Sequence, residues 1–185
     1  MNGSFLPGLT GLVLLVAACS GAPPSEEGPS SEEEGRTPGP EATLTAEAGR
    51  VANVAEAFLA ALSAADTASL ERLLVPGAAI HSVRETETGP SLRTVSREEF
   101  LLSLGGEGQE LLERMWDPVV FVDGAVAVVW TPYDFHLDGE FSHCGTDVFS
   151  FLKGPEGWQV ASITYNVVRG GCPPSPLSSP ERSRP

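Results

Sequence analysis

Hydrophobic positions along the chain change period once, and the change divides it into a helical half and a stranded half. Val51, Val54, Phe58, Leu59 and Leu62 recur three and four residues apart with alanine between them, which predicts a helix capped by Thr45 and running to Ala64. Asp66 caps a shorter helix carrying Leu70, Leu73 and Leu74, ended by Pro76-Gly77. Ala79 to Val83 and Leu92 to Val95 are short β-like runs around Gly89-Pro90 and predict a hairpin. Ser96-Arg97-Glu98-Glu99 is a capping box opening a third helix through Phe100, Leu101 and Leu104 to Gly105-Gly106. Beyond it the period is two. Asp123-Gly124 and Asp138-Gly139 are type I′ turn signals, and Gly154 to Gly157 is a looser turn, so strands are expected at about 111–122, 125–137, 140–152 and 158–169. Three helices and a hairpin followed by a meander give an α+β fold, with the helices packed on a strongly curved, mostly antiparallel sheet of about six strands.

The ends read differently. Phe5 to Ala18 is apolar and too short to span a bilayer, which needs about 20 residues, but has the length of a secretory signal. Val16-Ala17-Ala18-Cys19 resembles the lipobox of bacterial lipoproteins, although Met1 to Leu9 holds no Lys or Arg. That resemblance implies cleavage after residue 18, lipid on Cys19 and a chain exported to the cell envelope and anchored to a bacterial membrane through that lipid alone. Residues 19–41, rich in Ser, Gly, Pro and Glu without large apolar side chains, read as a disordered tether. Residues 42–172 are the expected domain, and 173–185 a loose Pro-rich tail.

With 185 residues the chain has room for one ordinary domain. Its net charge of −14 excludes nucleic acid as an expected partner, since phosphate binding needs clustered Lys and Arg. If Cys19 carries lipid, Cys144 and Cys172 remain as a pair in an oxidising compartment and are expected to bond; two buried thiols are the alternative. No Cys or His spacing suggests a metal, and no cofactor is expected.

Val129-Trp130-Thr131-Pro132-Tyr133, then His143-Cys144-Gly145-Thr146-Asp147-Val148-Phe149, then Gly157-Trp158, resemble the nuclear transport factor 2-like (NTF2-like) superfamily, the cone-shaped fold that includes SnoaL-like cyclases, ketosteroid isomerase and scytalone dehydratase. The resemblance covers about residues 49–170 and looks like the bacterial branch labelled nuclear transport factor 2 family or lumazine-binding. It implies a pocket between helices and concave sheet.

Pairing about the Asp138-Gly139 turn sets residues summing to 277 opposite one another: His136 with Phe141, Asp134 with His143, Trp130 with Asp147, Val128 with Phe149. Phe58, Trp130, Asp147 and Phe149 are then the expected pocket residues. Val129, Tyr133 and Phe135 fall on the convex face as a candidate homodimer surface. Asp147 resembles the neutral, hydrogen-bonding Asp of ketosteroid isomerase. The isomerase's Tyr and its base correspond by motif position to Phe58 and Ser82, which rules against proton abstraction from carbon by that route. His143, Asp134 and His81 remain as candidates for general acid–base work. The expectation is a tethered, non-catalytic binder of a small, partly apolar molecule. The alternatives are a dehydratase-, hydrolase- or isomerase-type enzyme using a His–Asp pair, and a homodimeric interaction module.

Overall fold

The computed structural model describes residues 40–104 and 108–180, so the expected signal, Cys19 and most of the tether lie outside the described residues. Helix α1 (Pro40–Ser63) starts five residues before Thr45 and takes in residues 40–41, assigned above to the tether. Proline suits a first helical turn because its missing N–H would have no intrahelical partner there. The predicted apolar face is the buried one: Val51, Ala55, Phe58, Leu59 and Leu62 all enter the core, each large side chain contributing about 2 kcal/mol. Glu47 latches α1 to the far end of the sheet, accepting bonds from Lys153 Nζ, Trp158 Nε1 and Arg50 Nη2 at 2.9, 2.9 and 2.8 Å.

Helix α2 (Thr67–Leu73) is capped by Asp66, whose side chain accepts from the Ser69 N–H. Leu74 is no longer helical but opens β1 (Leu74–Thr86), which pairs with β2 (Gly89–Ser96) in the predicted hairpin. Ser96 and Glu99 form the capping box of α3 (Arg97–Ser103), with both reciprocal bonds present.

The stretch expected as one strand at 111–122 is two, β3 (Leu111–Met115) and β4 (Val119–Asp123), both paired with β5 (Val126–Leu137). Asp117 at φ +46° and Pro118, which lacks an N–H, break the ladder between them. With β6 (Glu140–Gly154) and β7 (Gly157–Val167), the described residues therefore form a sheet of seven strands, ordered β2-β1-β7-β6-β5-β3 with β4 also on β5. It is mixed, because β1 and β7 run parallel, and it curls without closing. Both Asp138 and Gly139 have positive φ, as a type I′ turn requires, whereas at Asp123-Gly124 only Gly124 does.

One irregularity decides what the sheet presents on each side. His136 pairs with Phe141 as expected, but Phe135 pairs with His143, so Ser142 is an extra residue and every later pair sums to 278. A one-residue slip moves a strand's side chains to the other face. Val129, Thr131, Tyr133 and Phe135 thus share the concave side with His143, Asp147 and Phe149. Val129 and Tyr133 are buried, not a convex dimer surface, while Trp130 is 45% exposed. The apolar residues left outside near Trp130 are Val119 and Phe121.

Gly145 sits where this curled region is tightest. A Cβ there would overlap the backbone oxygen of Asn166 and approach Tyr133 Cε1 to 2.6 Å. Tyr133 in turn donates from its hydroxyl to that same oxygen at 2.9 Å. Gly145→Ala is expected to lose about 2 kcal/mol, read as a shifted urea midpoint, because the obstructing atom is backbone and cannot rotate away.

Candidate functional site

Between α1, α3 and the concave face lies a cavity of about 260 Å³ with apolar walls from Phe58, Leu62, Ile80, Phe100, Phe149 and Ile163. Phe58 holds two of these walls together, stacked on Phe100 and edge-on to Phe149 with centroids 5.9 Å apart in each case. The polar groups come from adjacent strands. Ser82 on β1 pairs with Tyr165 on β7, which pairs with Asp147 on β6, so the three line one row of the concave face. Burial holds the Tyr165 hydroxyl's pKa up, and the neighbouring Ser82 hydroxyl partly opposes this.

Asp147 is 1% exposed, and among the described residues neither of its carboxylate oxygens accepts a bond from an N–H or O–H. Its polar neighbour is the carboxyl of Glu113 on β3, which can bond it only if one of the two carries a proton. Burial, followed by the charge of Glu113, pushes Asp147 well above the usual carboxylate range. Burial pushes Glu113 up to about 7, the neighbouring Asp147 carboxyl opposes this, and the charge of Asp134 adds to it. Two carboxyl groups in an apolar site cannot both ionise cheaply, so near neutral pH the pair shares a proton. Such a pair can donate to one polar group and accept from another.

Of the expected pocket residues, Phe58, Asp147 and Phe149 line this cavity and Trp130 does not. The predicted Asp134–His143 pair is absent because the Ser142 bulge puts them on opposite faces. Asp134 lies on the outer face, where Arg114 Nε and Nη2 donate to its two oxygens at 2.8 and 2.7 Å and His136 Nε2 lies 3.4 Å away. Burial pushes Asp134 up, but bonds from Arg114 and Ser175 prevail and leave it below the usual range. His81, an acid–base candidate above, alternates with the cavity-lining Ile80 and Ser82 and does not line the cavity; its Nδ1 lies 2.9 Å from Thr94 Oγ1. Ser82, set aside as too weak a base, does face the cavity.

Glu113 was missed by the sequence reading. The available signal was a charge between Leu111 and Met115 on alternate positions of a strand, where an apolar side chain belongs.

Cys144 and Cys172 are bonded. Residues 173–180, expected to be loose, instead run over the outer face beside Trp116, Asp134, His136 and Phe141, where Arg114 Nη1 donates to Ser178 O at 2.6 Å. Among the described residues no His, Cys, Asp and Glu cluster could hold a metal ion, and no helix is long and apolar enough to cross a membrane.

No protein-family model matches the chain, and no curated protein sequence does. Solved structures do match. An NTF2-like superfamily protein from Salmonella enterica serovar Typhimurium aligns at TM-score 0.55 and 14% identity, over 67% of this chain and 92% of that one. An NTF2-like protein with a cystatin-like fold from Novosphingobium aromaticivorans aligns at 0.57 and 13%, over 70% and 86%. One from Cytophaga hutchinsonii aligns at 0.54 and 15%, over 65% and 97%. Three helices on a curled seven-stranded sheet, a cavity between them and these likenesses together identify the domain as having the NTF2-like fold.

Proposed function

We propose that this domain binds a small, partly apolar molecule without transforming it, and that it does so outside the cytoplasm on a lipid anchor at Cys19. The observation that supports binding is the Glu113–Asp147 pair at the wall of the apolar cavity. Burying the Asp147 carboxyl without a donor opposes folding, and perturbed acids lining a cavity make it a functional-site candidate. The apolar walls take the body of the ligand, and the shared proton with its free lone pairs takes a carbonyl or hydroxyl group. The Cys144–Cys172 bond supports an oxidising compartment.

Native mass spectrometry of the purified chain, followed by thermal-shift titration of the molecule it carries, tests this reading. Asp147→Asn is expected to weaken binding about tenfold, the size of one buried charge-assisted hydrogen bond. Unchanged affinity in that variant would remove the carboxyl pair from the site.

A second reading has one observation in its favour: a carboxyl poised at about 7 can take and return a proton near neutral pH. Catalysis by His143 with Asp134 is not that reading, since the two face apart. Turnover of the bound molecule by the native chain, lost in Asp147→Asn, would replace the binder with an enzyme.

A further inference from the structure

We propose that a second, narrower cavity beyond Glu113, rimmed by Arg84 and His143 with Arg169 beside it, binds a carboxylate group, so that the molecule held by the cup is an organic acid with a partly apolar body. The position of the body rests on the function proposed above; the acid site does not. This cavity, about 200 Å³, shares Glu113, Phe135 and Tyr165 with the larger one as common walls, so one molecule can reach both.

The register puts both cations on the concave side, at exposed positions near the cavity's rim. Arg84 pairs with Val167 two residues beyond the Ser82–Tyr165 pair, and therefore lies on the same concave face. The Cys144–Val168 bridge sets Arg169 opposite His143, which is also on that face.

The charges there are uncompensated in a chain with 25 acidic and 11 basic residues. Arg50, Arg97 and Arg114 each have carboxylate partners. Among the described residues, Arg84 and Arg169 have none within 4.0 Å, although Glu85 lines the outer groove that both share. Burial and then the two guanidinium groups hold His143 down to about 4, so at pH 7 the imidazole is a neutral partner rather than a third cation. The remaining polar wall groups are the Tyr133 and Tyr165 hydroxyls, which burial keeps protonated, and the Glu113 carboxyl. A protonated Glu113 can donate to a monoanion. A phosphate dianion would press a second charge against the same acid, so the chemistry favours a carboxylate.

The test follows the His143 imidazole by NMR in the full chain while hexanoate, hexanamide, acetate or hexyl phosphate is added. Hexanoate is expected to shift the signal saturably, to raise the imidazole's titration midpoint by at least one unit, and to bind at least tenfold more tightly than hexanamide. Arg84→Gln and Arg169→Gln, both at exposed positions, should each weaken hexanoate about tenfold and leave hexanamide unchanged. The proposal is overturned by no response of His143 to hexanoate, by equal affinity for acid and amide, by preference for hexyl phosphate, or by indifference to both arginine variants. The apolar-cavity reading fails separately: acetate binding as tightly as hexanoate would keep the acid site and discard the cavity for the body.

Discussion

Asp147→Asn is expected to stabilise the protein at pH 8 by about 2 kcal/mol and to flatten its loss of stability above pH 5, while the same variant binds ligand less well. Both carboxyl groups of the pair have folded-state affinities for protons above their unfolded ones. In that case the folded state holds more protons than the unfolded state once pH exceeds about 4.5, so stability falls as pH rises. The pair is least costly below that point, and its cost grows as pH rises through about 7, where Glu113 titrates, with Asp147 also raised well above its ordinary range. A displacement from 4.5 to about 7 corresponds to a change on the order of 3 kcal/mol. Asparagine removes one charge, keeps the shape and offers N–H donors to Glu113. Urea unfolding of both proteins from pH 4 to 8 measures this directly. Parallel curves would mean that the two acids do not share a proton. Stability gained as affinity is lost is the pattern of a group kept for its chemistry rather than its packing.

Breaking the disulfide is expected to cost about 3.5 kcal/mol. The bond spans 28 residues, and closing a loop of that size removes about this much chain entropy from the unfolded state. Cys172→Ser also frees the segment to Pro180, which lies over the Arg114–Asp134 pair. Unfolding midpoints with and without reductant should therefore separate in the native chain and coincide in Cys172→Ser. No separation in the native chain would show that the bond contributes nothing to stability.

Much of this architecture was legible in the chain, and the parts that were not have local causes. Helical spacing in Val51 to Leu62, the Asp66 cap and the Ser96–Glu99 box depend on neighbours within four residues, so they could be read directly and appear as expected. The faces of β5 could not be. The alternation of the strand was correct, as was the tight turn at Asp138-Gly139, but Ser142 carries no mark of a bulge, and one extra residue inverted every assignment on β5. That single slip misplaced Trp130, Asp134, Val129 and Tyr133 together while leaving Asp147 and Phe149 correct. Glu113 was obscured differently: it lies 34 positions before its partner, and only the curl of the sheet brings β3 across to β6. The break at Asp117-Pro118 carried a readable proline signal, and the expected long strand ignored it.

The Glu47 latch sets the opposite boundary. Bonds from Arg50, Trp158 and Lys153, in that order, hold its carboxyl down to about 2. Its grip is complete above the ordinary glutamate range and fails only as acidity drives pH through that value. One end of the cone therefore tolerates acid while the acid pair in its interior prefers it. The molecule should keep its shape best in mildly sour surroundings, around pH 5, and a neutral or alkaline buffer chosen for convenience would store it at a disadvantage.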